Sequence, residues 1–324
     1  MARYKILMFE PMHEVGLNHL KAHDAEVVTA PDAEEATILK WVANVDGIIA
    51  RARGFFNGRV MDAGPRLRVI GRHGAGVDNV DVEAATQRGI WVVNTPHAPS
   101  EAVAEYVAMA LVALTKRPID GDRAARACDW AFRNRHVGPE TLGKTLGIVG
   151  FGRIGRRIAE ICGCGFRMRI LYADAVRAPE AEERRVGATQ VPLDRLMAES
   201  DFVTLNVPLL PETRHMIGRR ELGLMKPTAY LVNAARGPVI DEAALVEVLQ
   251  QRRIAGAAID VFEEEPVRPD NPLLRLDNVL LSPHNAGHSI EAAQKMAMVS
   301  ADVIRVLKGE TPEYPVNRPE RPRK

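Results

Sequence analysis

Thr145-Leu146-Gly147-Ile148-Val149-Gly150-Phe151-Gly152-Arg153-Ile154-Gly155 is the stretch that decides the fold. Its first five residues form an apolar run that reads as a buried strand, and Arg156-Arg157-Ile158-Ala159-Glu160-Ile161-Cys162 beyond it reads as a helix. A G-x-G-x-x-G signature in the turn between strand and helix is the context in which it signals dinucleotide binding. Gly150 permits the tight turn, Gly152 lets a pyrophosphate approach the backbone, and Gly155 lets helix pack on strand. The phosphates then meet unpaired N–H groups and the positive end of the helix dipole.

A second element supports the fingerprint. Asp174 follows Gly155 by 19 residues and ends the next strand candidate, residues 169–173. A carboxylate there accepts hydrogen bonds from the adenosine ribose and repels a 2′-phosphate, which favours NAD over NADP. Arg177 lies close by in sequence and could favour the phosphate instead.

Outward from this centre the chain alternates strand and helix in both directions. Strands are expected at 5–9, 26–29, 47–50, 67–71 and 89–94, with helices at 15–22 and 33–43. A long apolar helix is expected over 100–114, with Ser100 as its N-cap. A polar stretch, 133–144, leads into the fingerprint strand. Beyond it, strands are expected at 202–207, 229–233, 256–260 and 279–282, then one amphipathic helix over 290–307. The tail, 311–324, is rich in Pro and charge and reads as a surface strap or as disordered.

Alternation of this kind implies parallel sheets covered by helices. The fold class is therefore α/β, with two parallel-sheet Rossmann/flavodoxin-like domains. The fingerprint's mid-chain position suggests that the nucleotide domain, 99–287, is inserted into a substrate domain formed by 1–98 and 288–324. A ligand cleft is expected between the two.

Composition removes several function classes. A net charge of +1 gives no electrostatic case for nucleic acid or a membrane surface. No apolar stretch approaches the ~20 residues of a membrane span, and the N-terminal run is not a secretory signal. The three cysteines, Cys128, Cys162 and Cys164, lack metal-ligand spacing. No metal site is expected, and an odd count of free thiols fits a cytoplasmic location.

Three residues past strand ends form a candidate reaction centre: Arg236, Glu265 and His284. An Arg can grip a carboxylate through two parallel N–H bonds and fix the adjacent carbonyl for hydride attack. A His can give a proton to the developing alkoxide. A Glu bonded to that His orients it and favours its protonated form. Each residue also has an ordinary structural reading as a salt-bridge partner, a solvated acid or a turn residue.

Motif after motif from Gly71 to Val316 resembles the D-isomer-specific 2-hydroxyacid dehydrogenases, which include phosphoglycerate, glycerate and D-lactate dehydrogenases. Gly71-Arg72-His73-Gly74-Ala75-Gly76-Val77-Asp78-Asn79-Val80-Asp81 is similar to the family's substrate loop. Asn94-Thr95-Pro96 with Glu101-Ala102-Val103-Ala104-Glu105 is similar to its interdomain helix entry. Asn206-Val207-Pro208-Leu209 with Pro211-Glu212-Thr213-Arg214 is similar to its adenine-flanking loop, although Asn206 replaces a His often found there.

The resemblance implies that Arg236 binds the substrate carboxylate, His284 is the acid/base, Glu265 is its partner and Asp260 meets the nicotinamide carboxamide. It implies cofactor contacts at Ala75, Ser100, Arg153, Ile154, Val207, Pro208, Thr213, Ala234 and Gly287, beside the three glycines and Asp174. It implies substrate contacts at Arg51, Arg72, His73, Gly74, Ala75 and Gly76. Arg51 and Arg72 match positions where the phosphoglycerate branch carries phosphate-reaching arginines, and Arg133 or Arg135 could reach a neighbouring subunit's site. At 324 residues the extra regulatory domains of many phosphoglycerate enzymes are not expected.

The expected activity is reversible hydride transfer between NADH and a 2-oxo acid, giving a D-2-hydroxy acid such as glycerate or 3-phosphoglycerate. The expected assembly is a homodimer. Glu265 argues against a formate dehydrogenase, which pairs its His with Gln. The alternative reading is an NAD-sensing, corepressor-like binding protein on the same fold.

Overall fold

The fingerprint strand, Thr145–Val149, is an interior strand of a seven-stranded sheet in a computed structural model of the chain, and all five of its residues are buried. The structure describes residues 3–323. Met1 and Ala2 at the N-terminus and Lys324 at the end of the tail lie outside the described residues. The backbone divides into two units, with breaks between Pro99 and Ser100 and between Gly287 and His288.

The first unit holds β1 (Tyr4–Met8), β2 (Ala25–Thr29), β3 (Gly47–Ala50), β4 (Val69–Arg72) and β5 (Trp91–Asn94). These pair in the order β2-β1-β3-β4-β5, every pair parallel. This is the flavodoxin-like doubly wound order. All four residues of β3 are buried, as in a sheet covered on both faces.

The second unit holds β6 (Thr145–Val149), β7 (Arg169–Ala173), β8 (Ala188–Gln190), β9 (Phe202–Leu205), β10 (Tyr230–Asn233), β11 (Gly256–Ile259) and β12 (Val279–Leu281). Their order is β12-β11-β10-β9-β6-β7-β8, again all parallel. Numbered from β6, this is the Rossmann order with one added strand. The order reverses between β6 and β9, so the fingerprint turn emerges at the topological switch point, where such sheets take their ligands. Helix Ser100–Lys116 and helix Arg153–Glu160 cover one face, and the second core cluster lies on the other.

Several expectations are corrected. Ser100 is the first residue of its helix rather than the residue before it, and its buried Oγ has no hydrogen-bond partner. A side chain caps only from the extended backbone of the preceding position, so Ser100 does not cap. The fingerprint helix begins at Arg153 rather than Arg156, and its end, Ile161–Gly165, widens into a π turn.

The single helix expected over 290–307 is two, Ile290–Ala297 and Val299–Lys308, meeting at Met298. Both pack against helix Glu14–Ala22, and the second also covers β3, β4 and β5. The first closes on helix Glu14–Ala22, where a Cβ on Gly16 would stand 2.5 Å from the Ala297 carbonyl oxygen. The second lies on the sheet, where a Cβ on Gly71 would meet Val303 at 2.6 Å. β8 was not expected, because three residues are too few to show a pattern.

The tail is an ordered strap along β5. Pro315 bridges Val93, and the Val316 N–H donates to the Val92 carbonyl at 2.8 Å. Asn317 is buried and bonds to Val92, Thr86 and Ile90.

Candidate active site

The fingerprint glycines are each required for a separate reason. Gly150 has φ +91°, and a Cβ there would lie 2.7 Å from the backbone of Asn206. A Cβ on Gly155 would lie 2.3 Å from the Gly150 carbonyl oxygen. At Gly152 a Cβ would meet nothing within 4 Å. Packing therefore explains the first and third glycines but not the second, which borders open space at a helix start that no side chain caps. That combination fits a pyrophosphate.

Asp174 immediately follows β7 and is fixed by the turn it serves. Its carboxylate accepts from the Phe151 N–H at 2.7 Å and the Val176 N–H at 3.0 Å. The Phe151 ring stacks on Tyr172 at 4.1 Å, and the Tyr172 hydroxyl donates to Glu183 at 2.6 Å. Glu183 also takes both arms of Arg177, at 3.1 and 2.9 Å. Arg177 is thus bound to a carboxylate, which weakens the sequence argument for a 2′-phosphate partner.

Across the switch point, the Asn206 N–H donates to the Val149 carbonyl at 2.7 Å. Val207 and Pro208 follow, and the Thr213 hydroxyl closes their loop by donating to the Pro208 carbonyl at 2.6 Å. Ala234 lies just past β10, packed against the first core cluster, and Gly287 is the last residue of the unit.

The structure brings Glu265, His284 and Arg236 together. His284 Nδ1 and Glu265 Oε2 are 2.7 Å apart. Burial pushes the Glu265 carboxyl up, but the hydrogen bond and charge of His284, the Phe262 N–H and the Arg236 charge outweigh it and hold it below the usual range. Glu265 is therefore a carboxylate and can only accept, so Nδ1 carries the proton and Nε2 is left for exchange. Gly237 sets Arg236 against this loop: a Cβ there would overlap the Phe262 carbonyl at 1.8 Å. The Arg236 carbonyl is held by Asn233 at 2.9 Å.

Asp260 stands beneath the His284 loop, 1% exposed. Its carboxylate accepts from Ser282 Oγ and from the N–H groups of Asn285 and Ala286. Ser282 in turn contacts the Tyr106 hydroxyl at 2.5 Å. Neither Ser282 nor Tyr106 stood out as a site residue in the sequence. The available signal was one hydroxyl-bearing ring inside the apolar run of the helix Ser100–Lys116.

In the first unit, Arg51, Arg72 and His73 share one region. Gly74 has φ +136° and exchanges hydrogen bonds with Thr95. The Ala75 carbonyl accepts from Asn94 at 2.6 Å, and Gly76 continues the loop. Arg72 reaches Asn79 and the His73 carbonyl, while Arg51 donates to the Pro11 carbonyl at 2.5 Å. His73 is 5% exposed and its Nε2 has no partner. Burial, then the Arg51 charge, then lesser charges from Arg72 and His288 pull its pKa down to about 4. Among the described residues no cluster of His, Cys, Asp or Glu is placed to hold a metal, and no helix is long and apolar enough to cross a membrane.

The sequence pattern of the D-isomer specific 2-hydroxyacid dehydrogenase NAD binding domain matches residues 108–286. A glyoxylate reductase of Korarchaeum cryptofilum is 41% identical over 321 residues, covering 97% of this chain and 96% of the relative. A D-3-phosphoglycerate dehydrogenase of Methanocaldococcus jannaschii is 42% identical over 321 residues, 98% of this chain but 60% of the relative. Among solved structures, an NADPH-dependent glyoxylate/hydroxypyruvate reductase of Sinorhizobium meliloti, in complex with NADP and malonate, superposes with TM-score 0.88 at 30% identity over 99% of each chain. A D-lactate dehydrogenase from Aquifex aeolicus, complexed with NAD and lactic acid, gives 0.86 at 27% identity over 94% of this chain and 96% of that one.

Proposed function

The chain belongs to the D-isomer specific 2-hydroxyacid dehydrogenases, oxidoreductases with an NAD-binding domain, and from that premise we propose that it uses NADH to reduce a small anionic 2-oxo acid to the D-2-hydroxy acid. The observation that carries this reading is the Glu265–His284 pair under the charge of Arg236. Arg236 binds the substrate carboxylate and fixes the carbonyl carbon. His284 Nε2 gives its proton to the carbonyl oxygen as that oxygen becomes a hydroxyl, and Glu265 stabilises the charged ring before the proton leaves. The bound cofactor, NADH, supplies the hydride. Gly150, Gly152, Arg153, Ile154 and Gly155 hold its pyrophosphate, and Asp174 holds its ribose. Ala75, Ser100, Val207, Pro208, Thr213, Ala234, Asp260 and Gly287 complete the cofactor's surroundings in this reading.

Glyoxylate, hydroxypyruvate (giving glycerate) and phosphohydroxypyruvate (giving 3-phosphoglycerate) are the substrates to test. Arg51, Arg72 and the Gly74–Gly76 backbone, with His73 beside them, supply the positive and N–H groups that such anions need. The relatives named glyoxylate reductase and D-3-phosphoglycerate dehydrogenase support the same set. The experiment is loss of NADH absorbance with each of these acids, pyruvate and 2-oxoglutarate. Turnover of at least one is expected. Tight NADH binding without turnover of any would replace this reading with an NAD-sensing protein.

A cytoplasmic homodimer completes the proposal. The segment that precedes the fingerprint strand exposes Ile119, Trp130, Val137 and Leu142, an apolar set suited to a second copy. Arg135 is paired with Asp129 on the same segment. A dimeric mass by light scattering, reduced to a monomer by Trp130→Glu, is the expected result.

A further inference from the structure

The Asp260 carboxylate accepts three hydrogen bonds from one short stretch: Ser282 Oγ at 2.6 Å, the Asn285 N–H at 2.9 Å and the Ala286 N–H at 3.0 Å. Its backbone carbonyl accepts a fourth, from the His284 N–H at 2.7 Å. His284 lies between these anchors with φ +52°, a left-handed conformation uncommon for a residue with a side chain. Asp260 therefore grips the His284 loop on both sides of the residue it must hold.

The grip extends outward through two hydroxyls. Ser282 has one hydroxyl proton, and it goes to a carboxylate that can only accept. In the 2.5 Å contact between Tyr106 and Ser282, the donor is then Tyr106. Every proton in the chain is directed inward: Tyr106 to Ser282, Ser282 to Asp260. Such a chain polarises each bond in turn, and a charged acceptor at its end strengthens it further. Tyr106 stands on the helix Ser100–Lys116, whose other inward residues on this stretch are Val103, Val107 and Ala110, all apolar. Its hydroxyl is thus the one polar link from that helix to the His284 loop among the described contacts. Burial pushes the Tyr106 hydroxyl up, outweighing the opposite effect of its bond to Ser282 and aided by the Asp260 charge, so it stays a donor throughout the neutral range.

We propose that Tyr106 and Ser282 are positioning residues, a hydroxyl chain that locks the Asp260 clamp and thereby holds His284 with Nδ1 on Glu265 and Nε2 left for proton transfer. This gives Asp260 a duty apart from any contact with a nicotinamide. The inference rests on the proposed role of His284, and the clamp itself can be read without turnover.

The test uses the full chain with Tyr106→Phe, Ser282→Ala, Ser282→Thr and the double variant Tyr106→Phe/Ser282→Ala. Each hydroxyl deletion is expected to lower kcat by roughly 3- to 10-fold, the scale of one buried hydrogen bond. KM for NADH and for the 2-oxo acid should stay within about twofold, because binding groups are untouched. Ser282→Thr, which keeps the hydroxyl, should restore kcat. The double variant should be no slower than Ser282→Ala, since the chain is already broken. Independently, amide hydrogen exchange over 282–287 should accelerate in both deletions in the cofactor-free protein.

Additive kcat losses, a loss confined to NADH affinity, or unchanged kcat and exchange in Tyr106→Phe would each overturn the proposal. If Ser282→Ala does not fold, Tyr106→Phe carries the test, because it removes a single atom. Faster exchange in a protein whose wild type reduces no 2-oxo acid would retain the clamp and sink the proposed reaction. An active wild type, an inactive His284→Ala and unaffected hydroxyl variants would sink the clamp alone.

Discussion

Glu265 Oε2 and His284 Nδ1 lie 2.7 Å apart, and the carboxylate's depressed pKa fixes which atom donates. The imidazole is therefore oriented by a charged acceptor on one side, with Nε2 on the other. His284→Ala should lower kcat by about 10²- to 10⁴-fold, the span of general acid catalysis. Glu265→Gln, which keeps shape but removes charge, should fall between wild type and His284→Ala. Stopped-flow reduction of the preferred 2-oxo acid measures both, and wild-type turnover in His284→Ala would defeat the assignment.

Arg236 is assigned to the substrate carboxylate rather than to the proton. Arg236→Ala should raise KM for the 2-oxo acid by roughly 10- to 100-fold, the scale of a charge-assisted hydrogen bond. KM for NADH should barely move. Steady-state kinetics with both substrates varied separates the two, and an equal rise in both constants would assign Arg236 to loop structure instead.

Asp174 carries two duties in the structure. Asp174→Ser should raise the use of NADPH relative to NADH, because the carboxylate that repels a 2′-phosphate is gone. It should also destabilise the protein by about 1 kcal/mol, because the Phe151 N–H loses a charged acceptor at 2.7 Å. Arg177→Ala should change cofactor choice little, since Glu183 already holds that guanidinium. Competition kinetics and thermal melts read these outcomes, and strict NADH use in Asp174→Ser would remove Asp174 from cofactor selection.

His73 makes a stability prediction with a definite sign. Burial first, then Arg51, depresses its pKa from 6.5 to about 4. Between those values the unfolded chain takes up a proton that the folded chain refuses. Stability therefore falls as pH drops from 6.5 towards 4 and changes no further through this group below 4. The ceiling is about 3 kcal/mol. His73→Gln should flatten that part of the melting-temperature profile, and an unchanged slope would show that the ring is open to protonation in the folded state.

Parts of this molecule were legible before folding because their signals are local. A buried parallel strand must be an apolar run, so Thr145–Val149 is readable at its true limits. The turn after it must be glycine where backbone crowds backbone, as Gly150 against Asn206 and Gly155 against Gly150 show. The break at Met298 was not legible. Nothing in its own composition marks it: both helices pack on helix Glu14–Ala22, and the second extends over β3, β4 and β5 as well. Ser100 misled for a related reason: capping depends on backbone angle, which residue type only biases.

By itself the sequence determined that two parallel α/β sheets form, that one carries a dinucleotide turn, and that Arg236, Glu265 and His284 follow strand ends. Periodicity, glycine placement and residue chemistry act over a few neighbours and leave their marks in order along the chain. Only the tertiary structure decided that Nδ1 is the His284 atom that meets Glu265, that Arg177 belongs to Glu183, and that Asp260 grips the loop from below, with Tyr106 and Ser282 bonded outward from it. Those partners are brought together by the sheet and its covering helix, and a hydrogen bond depends on distances of a few tenths of an ångström that no linear spacing encodes.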